Sequence, residues 1–128
     1  MTNPVVHFEI IGKNPDALRR YYADLFGWTA DTASEVAPEI SDAGDYGFIE
    51  RDAEAGPVGI PGGIGGGPER TAHTIFYVGV PDVRAALARA QSLGGIVVLA
   101  PAAKPGGGLV VAHFTDPEGN LIGLAGPK

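Results

Sequence analysis

The chain has 128 residues, with 9 Lys and Arg against 15 Asp and Glu and a formal charge of −6 at neutral pH. That length suits one domain and leaves no room for a second full-sized one, while the acidic balance argues against nucleic acid or an anionic membrane as partner, since both reward basic patches. The absence of cysteine excludes disulfides, thiolate metal sites, iron–sulfur clusters and cysteine nucleophiles together, and the lack of a long apolar run or a signal-like start predicts a soluble cytoplasmic protein.

Residues 5–11 (VVHFEII) are short, β-branched and alternating, which predicts a strand with Val6, Phe8 and Ile10 on one face and His7, Glu9 and Ile11 on the other. Asn14 and Pro15 read as the N-cap and first residue of a helix. Leu18, Tyr21, Tyr22, Leu25 and Phe26 then recur at helical spacing, and Gly27 supplies the stop. Strands follow over residues 28–33, over 45–50 with Tyr46, Phe48 and Glu50 sharing a face, and more weakly, because of its glycines, over 58–64. The order then repeats. A strand over 71–80 (TAHTIFYVGV) leads to Pro81-Asp82 and a helix carrying Val83, Leu87, Ala90 and Leu93 inward until Gly94-Gly95. Strands over 96–99, 109–114 and 121–125 complete the chain, separated by a Gly-rich hairpin turn at 105–108 and a turn at Asp116-Pro117-Glu118-Gly119.

Each half therefore reads β-α-β-β-β, and the spacing supports a duplication. His7 lies 8 residues before Pro15-Asp16, and His73 lies 8 before Pro81-Asp82; from proline to helix-ending glycine is 12 residues in one half and 13 in the other. Modules of about 60 residues, here about 4–66 and 70–126, bury too little surface to stand comfortably alone, so a single domain is expected.

The paired module carries the first-strand pattern VVHFEI, the helix end Tyr21-Tyr22 to Leu25-Phe26-Gly27-Trp28, the strand HTIFYV and the turn DPEGN. On these pieces it resembles the vicinal oxygen chelate superfamily, whose members include glyoxalase I, extradiol dioxygenases and the bleomycin- and fosfomycin-resistance proteins. The likeness runs from Val5 to Leu124. It implies an α+β fold in which two tandem β-α-β-β-β modules form a cupped, open-barrel mixed sheet with helices outside, a small organic molecule in the cup, and a homodimer. In metal-dependent members, one residue from the first strand and one from the last strand of each module hold a divalent ion. The resemblance places His7 and His73 at the first-strand positions, and Gly63 and Gly123 at the two carboxylate positions. Glycine brings no donor, and two imidazoles alone make a weak, charge-uncompensated site. The expectation is therefore no cofactor, unless Glu9 or Glu50 reaches inward to supply the missing oxygen for a divalent metal.

Candidate pocket residues are His7, Glu9, Tyr46, Phe48, Glu50, His73, Tyr77 and His113. Tyr77 shares a face with His73 and Ile75, and with Tyr46, Phe48 and Trp28 it could stack on a planar ligand. Phe8 and Phe76 fall on the opposite face and read as core beneath the helices, and Tyr21 and Tyr22 as helix packing. His113 shares a face with Val111 and reads first as strand-end polarity. The GGIGGG run at 62–67 matches neither phosphate-loop pattern and is followed by a strand, so it reads as a last strand plus linker. The leading functional reading is a glyoxalase- or bleomycin-resistance-like protein that binds a small organic molecule; a basic drug is consistent with the charge of −6. The alternative is a metal-dependent lyase, isomerase or dioxygenase using His7 and His73. Whether the chain catalyses anything, and on what, stays open at this level.

Overall fold

Asn14 and Asp82 explain where both helices begin. Each side chain accepts a hydrogen bond from the backbone N–H three residues on, Ala17 and Ala85 respectively, at 3.1 Å. In the computed structural model, which describes residues 2–50 and 59–128, these caps open α1 (Pro15–Phe26) and α2 (Val83–Ser92). Gly27 closes α1 in a left-handed conformation, φ 74°, that a side chain would oppose. Eight strands complete the α+β fold: β1 (Val5–Gly12), β2 (Ala30–Asp31), β3 (Gly47–Ile49), β4 (Gly62–Gly66), β5 (His73–Gly79), β6 (Ile96–Ala103), β7 (Val110–Thr115) and β8 (Leu121–Gly126). The β-α-β-β-β order thus occurs twice. Neither described helix is long and apolar enough to cross a membrane.

The chain forms two compact units. One is His7–Thr74; the other is Ile75–Lys128 with the N-terminal residues through Val6. In the first, the strand order is β2-β3-β4-β1, with β1 parallel to β4 and the other pairs antiparallel. In the second it is β5-β8-β7-β6, with β5 parallel to β8 and the remaining pairs antiparallel. The core of the second unit is Val80, Val83, Leu87, Val110, Ala112 and Leu124, which seats α2 on one sheet face. The first unit seats α1 differently. Trp28 gathers Phe8, Tyr22 and Phe26 at ring distances of 5.0–5.4 Å, an aromatic cluster at the end of the helix.

Several sequence expectations need correction. The weak strand expected over 58–64 is β4, Gly62–Gly66, and Val58 lies outside the described residues. Its glycines are a fully buried strand, with only Gly67 serving as the start of a linker. On α1, Leu18 and Tyr22 are partly buried, whereas Tyr21, Leu25 and Phe26 are more than half exposed; the helix meets the sheet along one narrow edge. Leu93 is exposed because helical geometry stops at Ser92, so its side chain leaves the inward stripe. Phe76 is 41% exposed, because α2 packs over Val78 and Val80 and leaves the start of β5 bare. Strand β3 ends at Ile49, leaving Glu50 exposed beyond it. Strand β6 runs further than expected, through Pro101, where the missing N–H coincides with a register shift between Leu99 and Ala102. The DPEGN turn is closed by Asp116, whose carboxylate accepts from Glu118 N, Asn120 N and Asn120 Nδ2 at 2.9 Å each. The Asn120 side-chain bond, with those backbone N–H groups, holds the carboxyl below its ordinary range.

Candidate functional site

Register decides which side chains meet. In the first unit, Gly63 on β4 pairs with Glu9 on β1 and with Phe48 on β3, so these three form one row across three strands. Tyr46, immediately before β3, lays its ring over Gly63 and Gly65 and reaches two strands across the sheet. A strand spacing of about 4.8 Å makes that roughly 10 Å, a span only a large side chain can bridge. Its hydroxyl donates to Glu9 Oε1 at 2.9 Å and lies 2.9 Å from His7 Nε2. A carboxylate can only accept, so the single phenolic proton goes to Glu9 and His7 Nε2 is the donor to Tyr46. Glu9 is 2% exposed, and His7 is partly buried. Burial pulls the His7 pKa from 6.5 down to about 4, which keeps the ring neutral at pH 7. Phe48 completes the surface, tilted against Tyr46 at 4.9 Å and against His7 at 6.1 Å.

The second unit repeats this construction. Gly123 on β8 pairs with Tyr77 on β5 and with His113 on β7. The Tyr77 ring crosses over Gly123, and its hydroxyl lies 2.7 Å from His113 Nε2. His113 is 8% exposed, so it belongs to a buried tyrosine–histidine pair and is more than the strand-end polarity that alternation suggested. In both units a tyrosine spans a glycine of the middle strand to reach a polar partner two strands away. A Cβ at Gly63 would overlap the phenol end of Tyr46, at Cε1, Cζ and the hydroxyl, and one at Gly123 would approach Tyr77 Cδ2 to 2.5 Å.

The remaining expected residues lie elsewhere. His73 sits at the start of β5 and turns its Nδ1 to Thr71 O at 2.8 Å. Glu50 is exposed beyond β3. Trp28 is committed to the α1 cluster with Phe8, on the β1 face opposite His7 and Glu9. The pairing of Tyr77 with His113 was missed from sequence because it requires the order β5-β8-β7; a glycine flanked by inward Tyr and His positions on neighbouring strands is the signal that would find it.

These observations meet an independent one. Residues 5–124 match the family model described as Glyoxalase/Bleomycin resistance protein/Dioxygenase superfamily. The chain belongs to this superfamily. Among solved structures, this superfamily member is similar to a Streptomyces coelicolor methylmalonyl-CoA epimerase variant in complex with 2-nitronate-propionyl-CoA, with 18% identity and a TM-score of 0.68 over 98% of this chain and 95% of that one. A methylmalonyl-CoA epimerase in complex with methylmalonyl-CoA and NH4+ gives the same values. A glyoxalase/bleomycin resistance protein/dioxygenase superfamily member from Vibrio splendidus 12B01 is similar at 16% identity and a TM-score of 0.57, over 98% and 99% of the two chains. At these identities the likeness establishes the fold. No curated protein matches the sequence.

The superfamily's metal chemistry can be tested against the donors present. Among the described residues no three His, Asp or Glu side chains converge as a metal would need. His7 Nε2 is engaged with Tyr46, His73 is bonded to a backbone carbonyl, and the two glycines lie beneath tyrosine rings. Among the described residues, this donor set does not fit a divalent ion.

Proposed function

We propose that this superfamily member binds a small organic molecule against the His7–Tyr46–Phe48 surface of its first unit, within a single domain. The observation that carries this reading is the hydrogen-bonded chain from buried Glu9 through Tyr46 to partly exposed His7. It combines aromatic walls with a few fixed polar groups, the usual make-up of a ligand pocket. The epimerase structures hold coenzyme A thioesters, which makes short acyl thioesters and small planar acids or amines the first probes. An amide NMR titration with such a panel tests the reading. The expected result is saturable shifts at Phe48, Gly63 and Gly65 for at least one probe, weakened about tenfold by Tyr46→Phe. A panel that leaves those amides still, or a shift that survives Tyr46→Phe at full affinity, contradicts it.

The same chain favours a second reading, proton transfer without a metal. A proton taken up by His7 can be matched by transfer of the Nε2 proton to Tyr46 and of the phenolic proton to Glu9, so the ring never becomes an isolated buried cation. Exchange of an acidic C–H of a bound probe into deuterated water, abolished by Tyr46→Phe, is the corresponding measurement. We also propose a homodimer. Strand β6 ends the strand order and presents Ile96 and Val98 at 67% and 56% exposure, an apolar edge that a second copy would cover.

A further inference from the structure

His73 has no part in the site above, yet it lines a groove of about 760 Å³ in the first unit, on the α1 side. The apolar part of that groove is Ile10 from β1 with Leu18, Tyr21 and Tyr22 from α1. Ile10 alternates with Glu9, so this groove lies on the face of β1 opposite the Glu9–Tyr46–His7 chain. Its polar lining includes Asn14 and Thr74 beside one ammonium group, that of Lys13. Lys13 and His73 line it, and among the described residues no Asp or Glu does, in a chain of net charge −6.

Lys13 has no carboxylate partner among the described residues. The Lys13 ammonium bonds to an uncharged acceptor, Arg70 O at 2.9 Å, and it belongs to neither ion pair found among the described residues, Arg19–Asp16 and Arg70–Asp42. Thr71 O can only accept, so His73 directs an Nδ1 proton to it and lines the groove as an aromatic ring. The volume lies within the range of drug-sized ligand sites. Tyr21 and Tyr22, set edge to face at 5.0 Å, give the groove an aromatic wall. We infer that this groove is a second ligand site, taking an aromatic carboxylate with its ring among Leu18, Tyr21 and Tyr22 and its carboxylate toward Lys13.

The test compares 2-naphthoate with its uncharged counterpart 2-naphthalenemethanol by amide NMR on the whole chain. The site predicts saturable shifts at residues 10–18 and 72–74, with the carboxylate bound at least about tenfold more tightly than the alcohol. Lys13→Ala should erase that preference while leaving the alcohol's affinity and the rest of the spectrum unchanged. Tyr21→Ala, at an exposed position, should weaken both probes. Equal affinity for the two probes overturns the inference, as does the absence of saturation. Shifts confined to Phe48 and Gly63 would overturn it too while supporting the first site, and concentration-dependent shifts at residues 10–18 without probe would assign the groove to self-association instead.

Discussion

One hydroxyl, that of Tyr46, serves both a buried carboxylate and an imidazole, and the backbone beneath it has no room for a side chain. Tyr46→Phe leaves Glu9 without that donor and should cost about 1–3 kcal/mol in a urea or thermal unfolding series. Gly63→Ala and Gly123→Ala should each cost a similar ~1–3 kcal/mol, because a rigid ring must be displaced rather than a flexible tip. Combining Gly63→Ala with Tyr46→Ala tests the cause: the second substitution should remove most of the glycine penalty, and full additivity would show that the ring is not the obstacle. For the same reason Gly63→Glu or Gly123→Glu should unsettle the fold without creating metal affinity. His7 adds a pH dependence. Its folded pKa, about 4, lies below the unfolded 6.5, so the unfolded chain takes up a proton that the native ring refuses. Stability should therefore fall as pH drops from about 6.5 toward 4 and level off below that. His7→Asn should flatten this part of the profile.

At the level of elements, local signals were legible and remote ones were not. Asn14-Pro15, Asp82 and Gly27 announce helix ends because a cap is made within three residues of chain. Asn14→Ala should accordingly cost about 1 kcal/mol, read by denaturation. The β-α-β-β-β order followed from such punctuation plus alternation along each strand. The exposure of Tyr21, Leu25 and Phe26 did not follow, since helical spacing shows that an apolar face exists but not how much of it the sheet covers. Phe76 fails for the same reason: alternation gave its face, while the reach of α2 decided its burial. The glycines of β4 read only as a weak strand running into linker, because glycine disfavours strands. They are strand because Phe8 lies on Gly62 from one side and Tyr46 on Gly63 and Gly65 from the other. That requires knowing that β4 lies between β3 and β1, an order no local pattern encodes. Glu9 and His113 became site candidates by alternation alone, but their tyrosine partners depend on pairing between strands far apart in the chain.

Across the whole molecule, one arrangement occurs twice with the strand roles exchanged: the tyrosine comes from the β3 side and the histidine from β1 in one unit, and from β5 and β7 respectively in the other. Each unit sets a tyrosine over a glycine and pairs it with histidine, His7 in one and His113 in the other. Thus the repeated sequence positions His7 and His73 do not play repeated roles; His73 lines the α1 groove. The exposed edge of β6 gives a prediction at this scale. The chain should sediment as a dimer, and Ile96→Lys with Val98→Lys should shift it toward monomer without loss of fold. A monomeric parent chain would contradict the proposed homodimer.

Ligand binding without a metal depends on a neutral His7 that donates through Nε2 to Tyr46, where metal ligation would demand an unprotonated nitrogen facing an ion. A long-range proton–nitrogen spectrum of histidine-labelled protein, followed from pH 8 to 3.5 with and without stoichiometric Zn²⁺, reads this directly. The predicted result is a proton on Nε2 at neutral pH, a titration midpoint near 4, and no change on adding the metal. An imidazolium ring at pH 6, a proton on Nδ1, or a His7 signal shifted by one equivalent of Zn²⁺ would contradict it.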